Sequence, residues 1–474
     1  MATQLVWFRN DLRITDNSAL SAACRCADDK VIALFVATPE QWKNHNMAAI
    51  QAGFIRSNLL SLQHSLAALG IPLEFIQCDD FDASVVEIKR LCDRHGISDI
   101  YYNKQYQVNE LRRDRQLEAT LSPDIICHAF DDALLLPPNS VLTGNGDMYQ
   151  IFTPFRNRFV SQIQQGIQPV RPVPKARGDK PELTAIPEFN YPILPHDDFP
   201  AGEQEAIQRL RTFCRERAAD YLKHRDIPAL DMTSRLSPYL AIGVLSVRQC
   251  YNRLLAEHPD FLSHPDSGAF TWFNELVWRE FYHHLIVAYP QLCKHRPFIE
   301  WTQGVQWNPE EASFIAWCEG KTGYPIVDAA MRQLNQTGWM HNRLRMITAS
   351  FLVKDLLIDW RRGERYFISR LIDGDLAANN GGWQWAASTG TDSAPYFRIF
   401  NPTTQGKRFD PQGHFIRQWV PELQEVAEKW IHTPHLWAEK QGIELDYPQP
   451  IVDHSQARIN TLNAFEMARK GMVV

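Results

Sequence analysis

No stretch of this 474-residue chain reaches the run of about 18 apolar residues that a membrane helix needs, so no helical span is expected. The start, Met1-Ala2-Thr3-Gln4-Leu5-Val6-Trp7-Phe8-Arg9, enters a strand-like run directly and carries no apolar leader with a cleavage site. A cytoplasmic protein is the expectation. The nine cysteines include no C-x-x-C pair and none joined to histidine at zinc spacing. That excludes a disulfide framework and a structural zinc site, and leaves reduced thiols as the simpler reading. Basic excess is also missing: 49 Lys and Arg stand against 55 Asp and Glu, a net charge of -6. If the partner is a nucleic acid, a local basic patch must meet it. His283-His284 and His341 lack H-E-x-x-H spacing. Gly320-Lys321-Thr322 ends like a phosphate loop but has Ile315 where the first glycine belongs. Gly144-Asn145-Gly146 is followed by Tyr149 where a dinucleotide fingerprint needs its third glycine. No metal is assigned.

What is present divides along the chain. Strand-like runs at 5–8, 31–36, 73–76, 100–102 and 125–126 alternate with helical patterns. The clearest helix spans 48–69 and is stopped by Gly70 and Pro72; the next ends at His95 with Gly96 beyond it. Such alternation predicts an α/β domain over 1–130 with a doubly wound, parallel, five-stranded sheet. Eight prolines between 166 and 200 mark a long Pro-rich linker, taken as 131–202. From 203 to 474 the pattern is helical, which predicts a larger all-α domain.

Fourteen tryptophans occur, twelve of them between 272 and 437. Core packing explains any single one. Their density suggests more, because indole is both a flat stacking surface and an oxidisable ring. Such a cluster suits stacking on bases or on a flavin, or electron hopping. Among these tryptophans lie short hydrophilic segments. Thr233-Ser234-Arg235-Leu236-Ser237-Pro238 places Ser237 as a helix N-cap; it is a phosphate-holding start or a plain capped helix. Asp373-Gly374-Asp375 leads to Asn379-Asn380-Gly381-Gly382-Trp383, where glycines and amides should interrupt a helix, giving close ligand approach or an irregular loop. Trp272, Glu275 and Arg279, at i, i+3 and i+7, share one helical face. Arg343 and Arg345, with Arg225, Lys294, Arg296, Arg398, Lys407 and Arg408, supply cations for phosphates or for solvent.

Taken together, these segments closely resemble the photolyase/cryptochrome family, specifically its bacterial cyclobutane pyrimidine dimer branch. The likeness covers essentially the whole chain. It begins at Trp7-Phe8-Arg9-Asn10-Asp11-Leu12-Arg13 and is densest from 321 to 406, in runs such as Gly338-Trp339-Met340-His341-Asn342-Arg343 and Asn379-Asn380-Gly381-Gly382-Trp383-Gln384-Trp385.

The resemblance implies a light-driven carbon–carbon lyase that binds FAD, with an antenna held by 1–130 and with FAD and DNA held by 203–474. Tyr221, Thr233, Ser234, Arg235, Leu236, Ser237, Trp272, Arg279, Asp373, Gly374 and Asp375 would hold FAD, and Asn379 would face flavin N5. The reduced form, FADH⁻, would give an electron to a flipped-out dimer and recover it once the ring opens, so the protein supplies position and tuning rather than a base or nucleophile. Glu275, Trp278, Met346 and Asn379 form the implied catalytic set, with Trp278 stacking on the dimer. Arg225, Glu275, Trp278, Arg279, Asn342, Arg343 and Gln405 match DNA contacts. Trp307, Trp360 and Trp383 match an electron relay. His45, Asn109, Glu110, Cys293 and Lys294 match a 5,10-methenyltetrahydrofolate antenna site, with 8-hydroxy-5-deazaflavin the alternative. UV-damaged DNA is the implied partner, with the chain monomeric, free of an obligate protein partner, and at the nucleoid while bound.

A cryptochrome-type light receptor is the rival. Asn379 favours repair, since plant-type cryptochromes tend to carry Asp there, and no long C-terminal tail is read after 457–470. The (6-4) photoproduct branch places a histidine pair where this chain has Asn342.

Overall fold

Five apolar runs become five strands: β1 (Thr3–Phe8), β2 (Lys30–Ala37), β3 (Leu73–Gln77), β4 (Ile97–Asn103) and β5 (Ile126–Phe130). The computed structural model describes residues 2–471. Every pairing is parallel, in the order β3-β2-β1-β4-β5. Leu5 of the central β1 lies opposite Ile32 on one side and Ile100 on the other. Nearly all of β1 is buried, as a strand with helices on both faces must be. The doubly wound sheet expected from the alternation is the sheet that forms. Helix Ala49–Ala68 occupies the predicted stretch, and helix Phe81–His95 ends on Gly96 in the left-handed conformation, φ 61°. Gly70 (φ 75°) has no room for a side chain: a Cβ would lie 1.7 Å from the Arg177 carbonyl oxygen.

In open parallel sheets a ligand lies in the crevice beyond the strand ends, where the strand order reverses. Here that point is between β1 and β4, and the protein fills it with its own polar groups. Asn103 donates to Asp11 (2.7 Å) and Asn17 (2.9 Å), and Arg9 forks onto Asp114 (2.7 and 2.9 Å). Beside them Arg248 bridges Asp16 (2.9 Å) and Asp132 (2.6 Å), and Arg13 pairs with Asp132. Burial alone would raise the Asp132 carboxyl, but Arg13 and Arg248 more than offset it and hold it below its ordinary value. The missing glycine fingerprint has this structural counterpart.

After β5 the described residues contain helices and no further strand. The stretch read as a linker includes helix Phe152–Ile163, whose Phe152, Phe155, Phe159 and Ile163 are buried. By its contacts the chain forms two compact units. One comprises Met1–Leu222, Ser234–Pro290 and Ile372–Asp375; the other comprises Lys223–Thr233, Gln291–Leu371 and Leu376–Val474.

Two local expectations are corrected. Ser237 is not an N-cap: Leu236 takes that place with near-helical backbone (φ -93°, ψ -9°), and no side-chain cap bond forms. Nor do the amides and glycines at 379–382 break a helix, for Leu376–Ala387 is continuous. Asn380 donates to buried Glu364 (2.8 Å) and accepts from Gln384 (3.0 Å), while Ala377, Trp383 and Ala387 are buried. Packing here outweighs poor local propensity.

Candidate functional site

In the first unit, helix Gly268–Ala288 starts on Ser267, whose hydroxyl accepts from Phe270 N. It buries Trp272 against Phe213 (ring centroids 4.9 Å), and Phe213 also meets the edge of buried Tyr221 at 5.9 Å. Arg279 is half-buried and donates to the Ala133 carbonyl (2.9 Å). Glu275 is half-buried on the same helix. Trp278 lies face to face on Phe152, centroids 3.7 Å apart and planes at 6°. Phe152 belongs to the segment read as linker, so sequence reasoning missed this support. The 3.6-residue spacing of Phe152, Phe155 and Phe159 was the available signal.

Asp373 is buried, and the Gly374 carbonyl accepts from Gln51 (2.8 Å). An Asp375 oxygen is 3.3 Å from His283 Nε2, in a histidine that is almost fully buried. Ser234 and Arg235 are half-buried, Leu236 is buried and Ser237 is exposed. Arg235 adopts φ 51°, a conformation uncommon for a side chain without special need. Elsewhere in this unit Asn109 and His45 meet at 3.2 Å, while burial pushes the neighbouring Glu110 carboxyl up. Of the five residues expected at an antenna, these three lie together in this unit, while Cys293 and Lys294 belong to the other.

In the second unit, Trp360 and Trp383 lie in one apolar core with Trp307 packed against it. Trp383 is edge-on to Phe367 (4.9 Å) and to Trp317 (6.0 Å). Gly363 makes that fit possible, since a Cβ there would be 2.1 Å from the Trp383 ring. Trp317, not among the tryptophans expected to form a relay, donates its Nε1 to the Thr348 carbonyl at 3.0 Å. Asn379 donates through Nδ2 to the Glu364 carbonyl (3.0 Å), which fixes its amide plane. A Cβ at Gly382 would meet nothing within 4 Å, so the backbone there is open to close approach.

His341 caps helix Asn342–Ser350 by accepting from Arg343 N (3.1 Å), and burial lowers its pKa to about 4. This sets Asn342 exposed and Met346 half-buried. Arg343 pairs with Asp226 (2.9 Å) and lies over Phe409 (4.5 Å). Arg225 reaches the same carboxylate at 3.8 Å. These two predicted DNA contacts therefore gather at one acid, near the helix Pro402–Phe409 that carries Gln405. Thr233 is half-buried, as are Cys293 and Lys294's neighbour His295. His295 Nδ1 bonds Glu364 at 2.7 Å. Trp419, Trp430 and Trp437 are partly buried and pack against the same core.

A parallel α/β sheet is followed by a tryptophan-rich helical half, and comparison with known proteins identifies the class of flavoproteins to which this arrangement belongs. Residues 4–175 match the family model for DNA photolyase, and residues 272–467 match the FAD binding domain of DNA photolyase. The deoxyribodipyrimidine photo-lyase of Escherichia coli K12 is 58% identical, over 99% of this chain and 100% of that protein. Among solved structures, a class III photolyase from Agrobacterium tumefaciens superposes with TM-score 0.88 at 35% identity, covering 99% of this chain and 98% of the other. A Synechocystis cryptochrome superposes equally well at 30% identity, covering 98% and 99%. The chain belongs to the DNA photolyase family.

Proposed function

We infer that this chain repairs cyclobutane pyrimidine dimers in UV-damaged DNA by a light-driven, FAD-dependent lyase reaction. The observation that carries this reading is the end-to-end identity of 58% to a deoxyribodipyrimidine photo-lyase. The cryptochrome fold is equally similar, so the fold alone does not choose between repair and signalling.

The residues fit an FAD. Thr233, Ser234 and Ser237 offer hydroxyls and Arg235 a cation for its phosphates. Asp373 and Asp375 offer acceptors for its sugar and ribityl hydroxyls. Trp272, Tyr221 and Leu236 give apolar contact, with Arg279 and Gly374 alongside. When bound and reduced, FAD supplies the photoexcited electron that opens the cyclobutane ring. The chain's own part is geometric. Asn379, its amide held by the Glu364 carbonyl, would face the flavin's N5. Glu275 receives the N–H groups of the extruded bases. Trp278, backed by Phe152, offers a flat face to stack on them, and Met346 closes the pocket. Arg225, Arg279, Asn342, Arg343 and Gln405 hold the strand. Trp307, Trp360 and Trp383 pass electrons inward when the flavin is oxidised.

We assign 1–130 to the antenna, 131–202 to the connection and 203–474 to flavin and DNA. The meeting of His45, Asn109 and Glu110 supports 5,10-methenyltetrahydrofolate, with Cys293 and Lys294 completing its contacts. The filled crevice between β1 and β4 argues against a nucleotide-like antenna seated there. No described helix is long and apolar enough to cross a membrane. A cytoplasmic, monomeric enzyme that visits the nucleoid is part of the same proposal.

The test is direct. Reduced holoenzyme is mixed with an oligonucleotide bearing one thymine dimer and illuminated at the antenna band. Light-dependent recovery of monomeric thymines is expected, and none would refute repair. Trp383→Phe should lower photoreduction of oxidised flavin by about a hundredfold or more, while repair by pre-reduced enzyme stays within about threefold.

A further inference from the structure

A cavity of about 220 Å³ in the second unit is lined by Asn308, Glu310, Ser313, Asp355 and Asn460, with Leu357 among its apolar walls. It borders the surroundings of Trp307. Asn308 follows Trp307 directly and donates its backbone N–H to Leu357 (2.7 Å), and Leu357 packs in the same apolar group as Trp307.

The polar wall is rich in acceptors. Asp355 is only 4% exposed. Its Oδ1 takes His454 Nδ1 at 2.5 Å, but its buried Oδ2 meets no hydrogen-bond donor among the described residues. Ser313 spends its hydroxyl on Glu310 (2.7 Å), and Asn308 spends its amide N–H on the Leu356 carbonyl (3.3 Å). No lysine or arginine is among the lining residues. The nearest buried amine, Lys354, donates instead to Ser388 (2.8 Å) and the Tyr396 carbonyl (3.4 Å). A buried carboxylate oxygen without a donor is costly, so the cavity favours a guest that brings N–H groups; the Asp355 charge is already met by His454, and the exposed Glu310 is what favours a positive one.

We propose that this cavity docks a small organic cation that is also a one-electron reductant, and that this guest refills Trp307 after Trp307 has passed an electron inward. The proposal rests on Trp307 being the outer end of the relay. The step is balanced. The Trp307 radical cation gains one electron and becomes neutral indole. The reductant loses that electron and, if it is a phenol, its hydroxyl proton goes to water. No bond to the protein forms. Asp355 Oδ2 accepts an N–H of the cationic arm, and the exposed Glu310 carboxylate attracts the cation and repels anionic reductants.

Three phenols of matched chemistry test it: tyramine (cation), 4-hydroxyphenylacetamide (neutral) and 4-hydroxyphenylacetate (anion). Holoenzyme with oxidised flavin is flashed, and the tryptophan radical is followed by transient absorbance at low salt. Radical decay should saturate with tyramine, and its initial slope should exceed that of the anion by about tenfold or more, with the amide between. Glu310→Gln, an exposed change that spares folding, should reduce the tyramine slope about threefold and leave the amide's unchanged. Asp355→Asn should remove saturation. Linear decay with similar slopes for all three phenols, or no effect of Glu310→Gln, overturns docking while leaving the relay intact. A surface radical that survives in Trp307→Phe with an unchanged tyramine response removes the premise instead, and the proposal with it.

Discussion

At the carboxyl ends of β1, β4 and β5, Arg13, Arg248, Asp16 and Asp132 neutralise one another out of water, whereas around Trp383 the core is ring against ring, and the Trp383 Nε1 donates to nothing among the described residues. The first region uses polarity to complete itself and leaves no ligand a foothold. The second keeps oxidisable rings close, with little polar commitment to hold them, so shape alone must set their positions. A buried polar network thus completes the scaffold here, and the aromatic cluster around Trp383 is the region to which the proposed relay is assigned.

Breaking the first region should show the largest effect. Asp132→Ala takes the carboxylate partner from buried Arg13 and leaves Arg248 with Asp16 alone, and should cost about 3–5 kcal/mol in urea denaturation. A cost under about 1 kcal/mol would mean that the network is not tightly closed. The second region has an acid-sensitive edge at His341. Its folded pKa is depressed to about 4, so the folded state excludes a proton that the unfolded chain accepts near its ordinary value. Stability is present above about pH 6.5 and falls as pH drops toward 4, by up to about 3 kcal/mol. His341→Asn, which can still cap, should flatten that part of the stability–pH curve relative to the parent.

Gly363→Ala tests whether shape positions the indole. Its Cβ would press on the Trp383 ring, at a cost of about 1–3 kcal/mol and with slower flavin photoreduction in flash experiments. Smallest is Ser237→Ala. Because Ser237 caps nothing, denaturation should change by less than about 0.5 kcal/mol, and weaker FAD retention in gel filtration would then report ligand contact alone.

Much of this was legible in the chain. The alternation of apolar runs and helical periods specified the sheet, and Gly96 specified where a helix ends. The tryptophan density and the 233–237 and 373–385 segments pointed at the helical half. The hidden parts were long-range. Nothing local pairs Arg248 with Asp16 across 232 positions, or sets Phe152 on Trp278, because such contacts exist only after the chain closes on itself. The helix through Asn379 and Gly382 was obscured for the same reason: Glu364 and the buried face of the helix compensate for residues that disfavour it. Ser246 with Gln249, a reciprocal cap at the start of helix Val247–Glu257, was a readable local signal that went unused.

The Phe152–Trp278 stack has an optical consequence. Phenylalanine beside an indole does not drain its excited state, whereas a pyrimidine laid on the indole accepts an electron from it and extinguishes its emission. With Phe152 on one face and Tyr282 tilted against the ring at 5.5 Å, a base stacked on Trp278 as proposed would dim that indole, a loss readable in the dark against the thirteen other tryptophans by comparison with Trp278→Phe.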